Sequence, residues 1–146
     1  MISNVAAAID GSSYAQRAAE IAAAVAAKFG AKAHLIYVMP HHEVPADIKD
    51  LANIEHVEAG SIELEAATEV IVTSIVAEFH RAGVAAVEGH VLTRNPVATL
   101  LHYIQNHGID MIFTGRRGLR PIEGVLLGSV SSKLNHHAGC TVVTVK

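Results

Sequence analysis

The sequence predicts one α/β domain spanning residues 1–146, an open parallel sheet of five strands with helices on both faces. Three observations lead there. Short β-rich apolar runs alternate with segments of helical spacing. The runs are continuously apolar rather than alternating, as strands buried on both faces require. And 51% hydrophobic residues with only 4% aromatic and no Trp give a core of Ala, Val, Ile and Leu, which suits helices packed closely on a sheet.

The first strand is expected over Val5–Ile9. The helix after it opens with a capping box, Ser13 accepting from first-turn amides and Gln16 reaching back, and runs with Ala18, Ile21, Ala22, Val25 and Phe29 on its apolar face to a stop at Gly30. A second strand follows at His34–Val38. From Pro40 to Gly60 the sequence is polar and aperiodic and reads as an insertion, after which Ile62–Arg81 has helical composition and ends near Gly83. Val87–Leu92 is the third strand. The third helix has Asn95 as N-cap, Pro96 at its first position, Val97, Leu100, Leu101 and Ile104 inward, and Gly108 beyond its end. Ile109–Thr114 and Thr141–Val145 complete the sheet, with a further helix opening at Gly128-Ser129 between them.

Composition excludes several function classes. A net charge of −3 gives no general attraction to nucleic acid, so neither DNA nor RNA is expected as a partner. No apolar run approaches the roughly 20 residues of a membrane span, and Met1–Asp10 lacks the features of a signal peptide, so a soluble cytoplasmic protein is expected. The single cysteine, Cys140, adjoins the last apolar run and reads as a core thiol.

In an open parallel sheet, ligands collect where loops part at the carboxyl ends of the strands. Two loops there carry suitable residues. Asp10-Gly11-Ser12 follows the first strand; Gly115-Arg116-Arg117-Gly118 follows the fourth and leads by nine residues to Gly128-Ser129. Gly115 and Gly118 allow bare backbone to approach an anion, and Gly128, Ser129, Val130 and Ser131 open a helix whose amides and dipole favour phosphate. Arg116, Arg117 and Arg120 supply guanidinium forks. A lone Gly-x-x-Gly is usually a turn, but its position between a strand and a helix is the context a phosphate loop needs.

Gly115-x-x-Gly118, nine residues, then Gly128-Ser129 resembles the nucleotide-binding signature of universal stress proteins. Ala8-Ile9-Asp10-Gly11-Ser12, Asn95-Pro96 and the ending Cys140–Val145 extend the resemblance along nearly the whole chain. It implies strand order 3-2-1-4-5 and an adenine nucleotide, ATP or AMP with or without Mg, across the ends of strands one and four. It also implies Asp10 at the nucleoside, Val38 beside the adenine, the glycines and the Gly-Ser step at the phosphates, and a homodimer through the last strand. Two positions depart from the family pattern: Arg94 stands where Gly is common, and Thr141 where Pro usually opens the last strand.

No metal-ligand set is read from the ten histidines, because His41-His42 and His136-His137 point apart and lack a third ligand at a recognisable spacing. No Gly-x-Ser-x-Gly elbow and no P-loop lysine are present, so no catalytic residue is assigned. The function expected is a nucleotide-binding stress-response or signalling module; the alternative is a slow ATPase or phosphotransferase using the same pocket.

Overall fold

The structure, a computed structural model, describes residues 1–38, 55–92, 95–118 and 127–146, with backbone alone for 55–66 and 96. Its elements are β1 (Asn4–Ile9), α1 (Ser13–Phe29), β2 (Lys32–Val38), α2 (Glu55–Arg81), β3 (Val87–Leu92), α3 (Pro96–Asn106), β4 (Met111–Gly115), α4 (Ser129–His137) and β5 (Thr141–Val145). The five strands form one parallel sheet in the order β3-β2-β1-β4-β5, as expected. Because successive side chains on a strand point to opposite faces, each strand feeds two cores. Ala7, Leu35 and Phe113 pack under α1 and α2, while Ala6, Ile36 and Ile112 pack under α3 and α4.

β1 lies between β2 and β4 and is buried throughout apart from Asn4. β3, an edge strand, departs from the expected two-sided burial: Gly89 and Val91 are exposed, Val91 at 38%. β5 is the other edge, with only Val145 fully buried.

Two expectations about α1 are corrected. Its N-cap is Ser12, whose side chain accepts from the Ala15 amide at 3.2 Å, not Ser13. The chain turns at Gly11, φ +88°, so helical geometry begins at Ser13 itself. Its inward stripe is Ala15, Ala18, Ala19, Ala22, Ala23 and Ala26, whereas Ile21 and Phe29 are 43% and 55% exposed. Alanine lets the helix axis approach the sheet, and that close stripe rotates the bulkier residues outward. The C-terminal stop at Gly30 is as expected, with φ +64° and its amide donating to Ala26 and Ala27 carbonyls.

α2 begins at Glu55, seven residues before the expected Ile62, so the aperiodic segment is helical from that point; residues 39–54 lie outside the described set. Gly60 was the misleading signal, since a helix tolerates one glycine at about 1 kcal/mol. α3 follows its punctuation: Asn95 accepts from the Ala98 amide at 3.4 Å, and Leu100 and Ile104 are buried with Tyr103. β4 starts two residues later than expected because Asp110 is engaged at the strand's foot, its Oδ2 accepting from the Ser3 and Asn4 amides at 2.7 and 2.9 Å. Cys140 is half-buried beside the α3/α4 core, and burial pushes its thiol pKa up. No helix among the described residues is long and apolar enough to cross a membrane.

Candidate functional site

The order β3-β2-β1-β4-β5 reverses its direction of growth between β1 and β4, so the connections leaving those strands diverge and leave a crevice at their carboxyl ends. After β1, the Asp10 Oδ1 accepts from the Ser12 amide at 2.9 Å, an Asx turn that sets the entry to α1. Ser12 is 8% exposed and its hydroxyl is occupied as the helix cap.

After β4, Gly115 is pressed against α1. A Cβ there would stand 2.8 Å from Tyr14 Cβ and 2.9 Å from the Ala15 nitrogen, so glycine at this position serves the packing of α1 on β4. The next residue ties three elements together. The Arg116 amide donates to the Val145 carbonyl at 2.7 Å, and the Arg116 carbonyl accepts from the Gly128 amide at 2.7 Å and from Ser131 Oγ at 3.1 Å. Ser131 is 2% exposed and also has the Gly128 carbonyl at 3.2 Å; its hydroxyl pins the loop to α4.

At the start of α4, Gly128 caps with extended backbone and no side-chain hydrogen bond. The first-turn amides therefore have no N-cap side chain as acceptor, and the positive end of the dipole faces the crevice. Gly118 completes the wall: a Cβ on it would lie 2.9 Å from Asp10 Oδ2. Two further donors are held out of solvent here without a hydrogen-bond partner among the described residues, Nε of Arg116 and Nε of Arg117.

The resulting cleft is small, with a cavity volume of about 100 Å³, and opens to solvent at its mouth. Of the residues the sequence singled out, the structure brings together Asp10, Val38, Gly115, Arg117, Gly118, Gly128, Ser129, Val130 and Ser131 along its lining. Gly11, Ser12 and Arg116 are not in that lining; they shape the two loops from behind. Arg120 lies outside the described residues.

Ala8, Ile9, Ala15 and Thr114 also line the cleft and were missed by sequence reasoning. They are small or apolar strand and helix residues with no chemical signature; the one available signal was the run Ala6-Ala7-Ala8, unusually small for a central strand. Beside the cleft, Tyr37 has its phenol pKa raised by burial and, secondarily, by the negative charge of Asp10.

Sheet order, helix placement and a switch-point cleft define a doubly wound α/β domain. The model of the universal stress protein family matches residues 1–146, and the chain belongs to that family. A universal stress protein of Thermus aquaticus is 31% identical over 146 residues, covering 100% of both chains. One from Synechocystis is 38% identical over 73 residues, so the match spans 50% of this chain and 47% of that protein.

Solved structures agree on the fold. A universal stress protein crystallised in complex with cAMP superposes with a TM-score of 0.73 at 22% identity, covering 99% of this chain and 96% of that one. The universal stress protein from Archaeoglobus fulgidus in complex with dAMP gives 0.65 at 19% identity, covering 100% and 98%.

Proposed function

We propose that this chain is an adenine-nucleotide-binding module of the stress-response family, taking ATP in the cleft between β1 and β4, and that residues 1–146 act as one such domain in the cytoplasm. The observation that carries the reading is the uncapped N-terminus of α4 facing a loop whose Arg117 Nε is shut from solvent with no partner among the described residues. Buried donors without acceptors are costly, and a phosphate supplies acceptors in that position. Gly118 keeps the wall beside Asp10 free of a side chain, and Asp10 and Val38 are the residues we assign to the nucleoside. The cAMP and dAMP complexes of other family members support an adenine base as the ligand.

In this reading Mg, where present, accompanies the phosphates rather than a site built by the chain. Asp10, the acid at the cleft, has one carboxylate oxygen taken by the Ser12 amide, which favours a positioning role over proton transfer. Tag-free protein purified without added nucleotide, then denatured, should release an adenine nucleotide identifiable by mass. Nucleotide-free protein should bind ATP in calorimetry with one site per chain. Absence of both would refute the reading.

A further inference from the structure

A second cluster of polar side chains sits under the β3 edge of the sheet, at the foot of β2 and away from the cleft. In the parallel register His34 is the Cα partner of Glu88, and Glu88 and His90 are two residues apart, so all three project from the face that packs against α3. One ligand atom from each lies within 4.8 Å of the other two. Glu88 Oε2 is 3.8 Å from His34 Nδ1 and 3.5 Å from His90 Nε2, while Oε1 is held by Lys32. We infer that His34, Glu88 and His90 form a binding site for a divalent transition metal of the zinc class, with the fourth position left to water.

Three features of the cluster suit a metal. First, tetrahedral ligands at about 2.1 Å from zinc stand about 3.4 Å apart, so the observed separations close by small side-chain rotations. Secondly, His34 can present Nδ1 to a metal while Nε2 is engaged behind it. Asn4 Nδ2 donates to the Gly108 carbonyl at 3.3 Å, which turns its Oδ1 toward His34 Nε2, also at 3.3 Å. A carboxamide oxygen only accepts, so in that contact Nε2 carries the proton and Nδ1, 3.8 Å from Glu88 Oε2, is the atom left to ligate, as supporting groups behind metal-bound histidines arrange it. Nδ1 pairs here with Tyr103 Oη at 2.8 Å, a bond the metal would replace.

Thirdly, His90 Nε2 is shut from solvent, with Glu88 Oε2 at 3.5 Å and no closer hydrogen-bond partner among the described residues. It and the Nε atoms of Arg116 and Arg117 are the buried side-chain atoms left without a hydrogen-bond partner among the described residues. Two imidazoles with one carboxylate select a borderline ion over Mg or Ca, which prefer all-oxygen sets. Glu88 and His90 have side chains 42% and 36% exposed, so an ion can enter from the sheet edge. Bound there, it would fasten the edge strand β3 to β2.

The test uses tag-free protein stripped with chelator. Zinc chloride should titrate with one equivalent per chain and raise the thermal midpoint, and cobalt(II) should give the visible bands of a tetrahedral site. His90→Gln and Glu88→Gln change half-exposed side chains and should fold normally by circular dichroism, yet each should weaken zinc binding at least tenfold. A double variant, His136→Gln with His137→Gln, should bind as the parent does. No saturable zinc binding by the parent, or a loss smaller than tenfold in either site variant, would overturn the assignment and leave a hydrogen-bonded polar cluster at the sheet edge.

Discussion

Asp10 Oδ2 stands 2.9 Å from the point that a Cβ on Gly118 would occupy. The two loops that frame the cleft thus touch at a carboxylate and a bare backbone. In Gly118→Val the side chain must displace Asp10 or the loop, and either movement deforms the cleft. ATP affinity should fall at least tenfold in calorimetry while the far-ultraviolet spectrum is unchanged. Gly128→Ala meets nothing closer than 3.5 Å and should bind within a few-fold of the parent. Unchanged affinity in folded Gly118→Val would remove the proposed site.

Gly115 should behave differently, because what its Cβ meets is α1 rather than the cleft. The Tyr14 Cβ and Ala15 nitrogen at 2.8 and 2.9 Å belong to a buried helix start and cannot swing aside. Gly115→Ala is expected to cost roughly 1–3 kcal/mol of stability by overpacking, read as a lower urea midpoint. A midpoint equal to the parent's would show that α1 can shift freely.

Asp110 joins the start of β4 to the start of β1. Amides of Asn4 and Ser3 hold its carboxyl pKa below the usual carboxylate value. The unfolded chain therefore binds a proton at higher pH than the folded one. The stabilisation is fully present above about pH 4 and is lost as pH falls through the folded value. Asp110→Asn should lower stability at pH 7 by about 1 kcal/mol, a figure discounted for solvent exposure, and flatten the acid limb of the stability curve. Urea titrations at pH 3 and pH 7 test this; a variant as pH-dependent as the parent would contradict it.

Turnover should be slow. With no P-loop lysine in the sequence and one Asp10 oxygen engaged by Ser12, ATP hydrolysis is expected far below the roughly 1–100 per second of kinases. A steady-state rate in that range, abolished by Asp10→Asn, would make Asp10 catalytic.

β5 is an edge strand of the sheet. It carries no charge from Thr141 to Val145, and Thr141 is exposed while Val142, Val143 and Thr144 are half-buried. Pairing with the same strand of a second copy across a two-fold axis would cover that edge. Light scattering should give a dimer for the parent and a shift toward monomer for Val143→Pro, which removes a main-chain donor. A parent monomeric at micromolar concentration, with and without ATP, would refute it.

Much of this molecule was legible before any coordinates. Strands read from apolar runs lie within two residues of their observed ends, and in the central strands continuous burial is what leaves a continuous signal. The stops at Gly30, Gly83 and Gly108 were legible because each has φ between +57° and +94°, which side chains rarely adopt. The α1 face was misread because hydrophobicity ranks Ile21 and Phe29 above alanine, whereas close packing on the sheet selects alanine.

By itself, the sequence determined the fold class, the glycine helix stops, the Asn95-Pro96 start of α3 and the two loops of the cleft, since these follow from local propensity, periodicity and spacing. Tertiary structure alone decided what each loop residue does: Gly115 packs a helix, Ser12 caps one, Ser131 pins a carbonyl, and Gly118 leaves room for Asp10. It also brought His34 within reach of Glu88 and His90, 54 and 56 positions further along the chain. Parallel strands pair only through long crossovers, so the neighbours that matter across a sheet leave no spacing in the sequence to be read.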